Sequence, residues 1–192
     1  YSLANPSAPQ CVGSWSQRYV HDAQVVTYTS GPFAGRELAY CCGGLNGGST
    51  DTGLTIVDVT NKSNPTVLSQ VAYPAREYSH QGWLSADRTR FYLGDELDEG
   101  ATVSTTTTRV FDVSDPNNAT YIGAFDNGNA AIGHNMYERD GILFQANYTS
   151  GIRAFDLNQS LNSPPEVGFF DTAPNSSNAS FNGLWSCYLC MD

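Results

Sequence analysis

The sequence predicts an all-β fold of the β-propeller type, with about three complete four-stranded antiparallel blades and partial strands at both ends. One phrase of alternating apolar residues that ends in Asp occurs three times, and a second phrase that begins with His also occurs three times. Together they recur every ~45 to 60 residues, which is the period of a propeller blade. Period-two alternation with Gly, Asn, Asp and Pro at the joins is typical of antiparallel meanders, and no segment has the pattern of an amphipathic helix.

The phrase that ends in Asp predicts the third strand of each blade. Its copies are residues 54–58, 109–112 and 152–156, and a second short strand follows each of them, at residues 66–73, 119–125 and 166–170. The terminal residues Asp58, Asp112 and Asp156 stand where a carboxylate can accept hydrogen bonds from the backbone of the next turn. We therefore expect these three Asp residues to have a structural role.

The phrase that begins with His predicts the first strand of each blade. Its copies start at His21, His80 and His134, and residues 181–185 resemble a fourth copy in which Phe181 replaces the His. The two phrases divide a single domain, residues 1–192, into blades at 21–73, 80–125 and 134–170. Residues 9–15, which repeat the fourth-strand pattern, and residues 182–190 are expected to form a partial blade together.

Six stretches of the chain resemble the LVIVD-repeat proteins of the choice-of-anchor B family. They are residues 21–22, 79–84, 93–99, 133–137, 145–148 and 181–186, and the similarity extends over nearly the whole chain. The resemblance implies a β-propeller that is usually secreted or attached to the cell surface and has no well-established activity. The chain is shorter than a whole domain of that family, and it has cysteines where many relatives have Ser or another residue without a thiol.

Charge and sequons indicate the environment of the protein. The formal net charge is -10, which argues against a nucleic-acid partner and against anionic membranes, and no apolar run approaches the ~20 residues of a transmembrane helix. Acceptor motifs for N-linked glycans occur at Asn61, Asn118, Asn147, Asn158, Asn175 and Asn178. We therefore expect a secreted glycoprotein, free or attached to the cell surface. Because Asn61, Asn118 and Asn158 follow the Asp phrase, we expect them on equivalent exposed turns.

The five cysteines predict disulfides in an oxidising compartment. They are Cys11, Cys41, Cys42, Cys187 and Cys190. Cys187 and Cys190 have C-x-x-C spacing, but no second pair stands at the distance of a zinc ribbon. We expect Cys11 to bond Cys187 or Cys190, and one of Cys41 and Cys42 to bond the remaining terminal cysteine or another chain.

Two sets of side chains are candidates for a divalent metal, either Ca²⁺ or a transition metal. The first strands of propeller blades line the central channel, so His21, His80 and His134 could converge on a transition metal. In the alternative interpretation, each His and its polar neighbour hydrogen-bond the adjacent blade. The acidic run Asp95, Glu96, Asp98 and Glu99 could bind Ca²⁺; the alternatives are a solvated edge or a salt bridge to Arg88, Arg90 or Arg109.

These observations favour a secreted, N-glycosylated module that acts as an extracellular structural or binding protein. Because the strands of an incomplete propeller leave open edges, self-association or binding of neighbouring subunits through those edges would build a larger assembly or filament. The alternative is a segment of a metal-dependent propeller enzyme with a His cluster on the axis. The sequence contains no G-x-S-x-G elbow, P-loop, dinucleotide fingerprint or H-E-x-x-H motif, and this favours the first hypothesis.

Overall fold

Twelve β-strands make up three antiparallel sheets in the computed structural model, which describes residues 1–44 and 52–189. Sheet 1 contains β1 (Asp22–Thr27), β2 (Glu37–Cys42), β3 (Leu54–Asp58) and β4 (Thr66–Val71). Sheet 2 contains β5 (Ser79–Leu84), β6 (Arg90–Asp95), β7 (Thr107–Asp112) and β8 (Thr120–Asp126). Sheet 3 contains β9 (Met136–Arg139), β10 (Ile142–Ala146), β11 (Ile152–Asp156) and β12 (Glu166–Phe170). The helical structure among the described residues is one 3-10 turn, Pro116–Asn118.

Each sheet is a meander whose strands pair in chain order, so the predicted fold class is confirmed. The first strands lie side by side, β1 beside β5 and β5 beside β9, as the inner strands of propeller blades do. The three sheets form a row that does not close on itself. Within the described residues, no helix is long and apolar enough to cross a membrane.

The repeated Asp residues hold the turn that follows each third strand. Asp58 accepts a hydrogen bond from the backbone N–H of Thr60 at 2.9 Å. Asp112 and Asp156 accept the equivalent bonds from residues 114 and 158, each at 3.0 Å. The structural role predicted for these carboxylates is therefore confirmed.

The cores lie between neighbouring sheets. We call the face that a sheet turns toward the next sheet along the chain its forward face, and the opposite face its rear face. The forward face of sheet 1 carries Tyr40 and Ile56, which pack against sheet 2, and the forward face of sheet 2 carries Tyr92 and Val110, which pack against sheet 3. Every one of these four side chains is fully buried, so burial of apolar area holds the row of sheets together.

The partial blade expected from residues 9–15 and 182–190 is not formed by the part of it that the structure describes. Residues 9–15 contain no strand, and Trp15 packs beside Ala39 and Cys41 on the rear face of sheet 1. In the closing segment, Leu184 makes a single bridge to Tyr148 at sheet 3. Each segment thus packs on the sheet nearest to it in the chain, and the two lie at opposite ends of the row.

Candidate metal centre on the inner strands

The three predicted histidines converge along the inner edges of the sheets. The ring centroids of His21 and His80 are 4.2 Å apart, and those of His80 and His134 are 4.1 Å apart. Trp185 continues the row, with its ring 5.1 Å from that of His134. The fourth copy of the His phrase therefore starts at Trp185, and its assignment to Phe181 was wrong; Phe181 contacts Tyr148 instead.

Polar side chains next to the histidines tie each inner strand to the next sheet. Gln81 accepts a hydrogen bond from the backbone N–H of Met136 at 2.8 Å and donates one to its carbonyl at 3.0 Å. His21 places Nδ1 3.0 Å from the backbone oxygen of His80. These bonds between sheets agree with the structural interpretation of the repeat, and they fix the rings of the row.

Glu96 completes a cluster with two of the three histidines. It lies just after β6, and its carboxylate is 3.5 Å from Nε2 of His80 and 3.4 Å from Nε2 of His134. Tyr148 donates a hydrogen bond of 2.7 Å to the same carboxylate. The possible ligand atoms of His80, Glu96 and His134 all lie within 4.8 Å of one another. This cluster takes one carboxylate from the predicted acidic set and two rings from the predicted histidine set.

The other members of the acidic run point elsewhere, because the chain turns after β6 ends at Asp95. The Asp95 carboxylate accepts hydrogen bonds of 2.7 Å from the backbone of residues 77 and 78. Asp98 forms a buried ion pair with Arg109, and Glu99 accepts a bond of 3.3 Å from the backbone of Thr107. The four carboxylates therefore do not converge on one Ca²⁺ site, and the run is not a solvated edge, because Asp95, Asp98 and Glu99 are buried. The alternative of a salt bridge to Arg109 is the one that is formed, by Asp98.

Burial controls the charge of the cluster. It lowers the pKa of His80 to about 3, with the neighbouring His134 and His21 rings acting in the same direction. Burial also lowers the pKa of His134, although the Glu96 carboxylate opposes the shift. Both rings are therefore neutral at pH 7 and each keeps one nitrogen lone pair, which is the form of imidazole that binds metals.

Asp98 and Glu99, which follow Glu96 in the chain, are buried close to each other. Burial raises the pKa of Asp98, and the Arg109 guanidinium opposes that shift. Burial and the nearby Asp98 carboxylate both raise the pKa of Glu99. We conclude that Glu99 holds a proton at neutral pH, because two charges cannot share so buried a place beside one guanidinium.

The predicted glycosylation sites do not share one environment. Asn61, Asn118 and Asn158 are exposed on the turns that follow the third strands, and Asn175 and Asn178 are exposed near the end of the chain. Asn147 is buried, with 1% of its surface exposed, so its inclusion among the glycan acceptors is corrected. It follows β10 in a tight turn, where its backbone N–H donates to the oxygen of Gly151.

The four cysteines that the structure describes are free thiols. The expected bond between Cys11 and Cys187 is absent because their segments lie at opposite ends of the row. Cys41 and Cys42 are buried on opposite faces of β2, and Cys190 lies outside the described residues. Burial raises the pKa of Cys41 and of Cys187 to about 12, so neither is a reactive thiolate at neutral pH.

Comparisons with known proteins agree with the repeat and the fold. Residues 48–72 match the family model of the LVIVD repeat, so the predicted resemblance to LVIVD-repeat proteins is confirmed for this segment. A protein of unknown function from Desulfotomaculum acetoxidans has a similar structure, with a TM-score of 0.50 and 14% sequence identity over 82% of this chain. A structure of a nidogen/laminin complex is similar with a TM-score of 0.45 and 12% identity over 77% of this chain.

The likeness to the bacterial protein bears on the fold alone, and the chain is short beside both structures. It spans 44% of the length of the bacterial protein and 46% of the chain from the complex. No curated protein is significantly similar to it in sequence.

Proposed function

We propose that the chain is a secreted, N-glycosylated propeller module that acts as an extracellular structural protein by head-to-tail association with a second copy. In this arrangement the forward face of sheet 3 in one copy packs against the rear face of sheet 1 in the next. Repeated contacts of this heterologous kind build a filament or a ring. The observation that carries the proposal is the incomplete burial of the forward face of sheet 3.

The burial of the forward faces can be compared at equivalent positions of the three sheets. Cross-strand pairing aligns Tyr40 and Ile56 of sheet 1 with Tyr92 and Val110 of sheet 2 and with Phe144 and Ala154 of sheet 3. The first two pairs are fully buried by the following sheet, but Phe144 and Ala154 are half-buried. Phe170, on the same face, is 69% exposed. A row of apolar side chains that stays exposed usually marks a surface that binds another protein.

The uncovered face suits a β-sheet as its partner, because the closing segment already occupies the position of an inner strand on it. Trp185 lies against the His134 ring, as His134 lies against His80. Tyr188 meets Tyr137 with 5.2 Å between ring centroids, much as Tyr137 meets Trp83 at 5.0 Å. The closing segment thus lies where the inner strand of a following sheet would lie, and it covers the inner part of the face alone.

A second copy offers a complementary surface. The rear face of sheet 1 has small side chains, Ala39, Cys41 and Val57, and these are covered by Trp15 of the opening segment. Val25 shares this face and is 57% exposed, so the opening segment does not cover all of it. Aromatic side chains of the forward face would pack on the part of the rear face around Val25 that Trp15 leaves uncovered.

Faces suit this association better than the strand edges that the sequence suggested. The outer strands β4, β8 and β12 each join their sheet through a β-bulge at the same place in the repeat. Bulges twist an edge away from further pairing. The exposed sequons on the neighbouring turns support secretion and glycosylation, and a glycan there would obstruct the outer edges but not the faces.

Two matched substitutions test the association by light scattering over a range of protein concentrations. Phe170 and Phe169 are adjacent and similarly exposed, but they point to opposite faces of sheet 3. We expect Phe170→Asp to weaken association about tenfold or more, because burial of a Phe contributes ~1.5–3 kcal/mol. Phe169→Asp should leave it unchanged. Equal effects, or a wild-type chain that stays monomeric, would exclude the proposed face.

Complementation tests the head-to-tail arrangement. Val25→Asp should damage the rear face, as Phe170→Asp damages the forward face. Each variant alone should be monomeric, whereas a mixture of the two should give dimers, because each supplies the face that the other lacks. If the mixture stays monomeric although each variant is folded, the two faces do not bind each other.

A further inference from the structure

We infer that His80, Glu96 and His134 bind one Zn²⁺ ion between sheet 2 and sheet 3. The inferred ligands are Nε2 of the two histidines and the carboxylate of Glu96. Two imidazoles and one carboxylate are a common protein ligand set for this metal, which takes its remaining coordination position from water or another ligand. The inference concerns the inner strands and does not depend on the association proposed for the forward face.

The distances fit a small tetrahedral ion. Bonds of ~2.1 Å to a tetrahedral metal place neighbouring ligand atoms about 3.4 Å apart. Glu96 Oε2 lies 3.5 Å from Nε2 of His80, and Glu96 Oε1 lies 3.4 Å from Nε2 of His134. These separations are longer than charge-assisted hydrogen bonds, which are ~2.7–2.9 Å, so they leave room for an ion bound by the two ring nitrogens and the carboxylate.

The three side chains are held in place by separate contacts. The His80 ring is packed between the tilted rings of His21 and His134. Glu96 accepts from the Tyr148 hydroxyl at 2.7 Å, and its backbone N–H donates to the oxygen of Tyr78 at 3.1 Å. Hydrogen bonds such as those of Glu96 orient metal ligands and raise affinity.

His21 is excluded from the ligand set, although it belongs to the same row of rings. Its Nδ1 lies against the backbone oxygen of His80, and its side chain is exposed. The potential ligand group contains His80, Glu96 and His134 without it. This selection makes His21 the matched control: it has the same residue type, the same row and no ligand role.

The site would join neighbouring sheets. His80 belongs to β5 of sheet 2, Glu96 directly follows β6 of the same sheet, and His134 begins the segment that enters sheet 3. An ion bound by all three therefore links the sheets at their inner edges. Because the unfolded chain does not hold these ligands together, binding should raise the unfolding temperature.

The experiment is calorimetric titration of Zn²⁺ into the chelator-treated chain, in a Cys11→Ser, Cys190→Ser background so that neither thiol competes. We expect one ion per chain and a rise in unfolding temperature. His21→Gln removes a ring contact of His80 but no ligand, so it should weaken binding by no more than about tenfold. Glu96→Gln and His134→Gln should each weaken binding at least 100-fold, and circular dichroism checks that both variants are folded.

Three results of the titration would overturn the inference. They are the absence of stoichiometric binding by the folded parent chain, unchanged affinity in Glu96→Gln, and a loss in His21→Gln as large as that in His134→Gln. Co²⁺ gives a second readout of the ligand types. A spectrum with thiolate charge-transfer bands would place the metal on cysteine and away from this cluster.

Discussion

The buried ion pair between Asp98 and Arg109 gives the sharpest test of how sheet 2 is held together. Asp98 is fully buried, and Arg109 is 2% exposed. Arg109 also donates a hydrogen bond of 2.8 Å to the backbone oxygen of Thr107 and lies 5.1 Å from the centroid of the Tyr73 ring. We predict that Arg109→Met is strongly destabilising, although Met can fill much of the space of the Arg side chain.

The expected loss of stability follows from the Asp98 charge, which remains buried after Arg109→Met. Removing one partner of a buried pair typically costs ~3–5 kcal/mol, because the other charge stays buried without compensation. The total stability of a domain is ~5–15 kcal/mol, so this is a large fraction of it. Arg36→Met is the control: its pair with Asp58 is exposed at 48% on the Arg side, and such pairs contribute ~0–1 kcal/mol.

Urea unfolding followed by circular dichroism at pH 7 measures both changes. Asp98→Asn in the Arg109→Met background should recover part of the loss, because it removes the stranded charge. The reasoning is refuted if Arg109→Met costs no more than Arg36→Met. It is also refuted if Asp98→Asn makes the Arg109→Met protein less stable still.

Two further predictions concern protonation and glycosylation. Burial raises the pKa of Glu99, so the folded protein holds a proton that the unfolded chain releases, and stability should fall as pH rises above the ordinary Glu value. Glu99→Gln should flatten that slope in urea unfolding at several pH values; an unchanged slope contradicts it. In a eukaryotic secretory host, Asn158→Gln should lower the intact mass by one glycan and Asn147→Gln should not. A glycan on Asn147 would contradict its burial.

The sheets could be predicted from the sequence because a repeat reports the same local structure several times. The terminal Asp of each third strand, together with the alternation before it, located strands that one copy alone would leave ambiguous. The register of the fourth His phrase was missed. Its signal was present, since Trp185-Ser-Cys-Tyr188 repeats the pattern of His80-Gln-Gly-Trp83, with a ring first, a polar residue second and an aromatic residue fourth.

Directions of side chains after a strand end could not be predicted. Glu96 joins the histidines while Asp98 turns into sheet 2, and this depends on the backbone turn after β6 rather than on residue type. The burial of Asn147 had a signal in the repeat. It follows a second strand, whereas Asn61, Asn118 and Asn158 follow third strands and occupy the opposite ends of the sheets.

The turn from Asp95 to Glu99 connects the stability of sheet 2 to the proposed metal site. Asp95 fixes one side of Glu96 through backbone bonds to residues 77 and 78, and the pair of Asp98 with Arg109 fixes the other. The position of Glu96 is therefore set by buried contacts rather than by the ion. It follows that Arg109→Met should weaken Zn²⁺ binding and stability together. Glu96→Gln should weaken Zn²⁺ binding and leave the stability of the metal-free chain nearly unchanged. The reason is that Glu96 is partly exposed, whereas the other three carboxylates of the turn are buried.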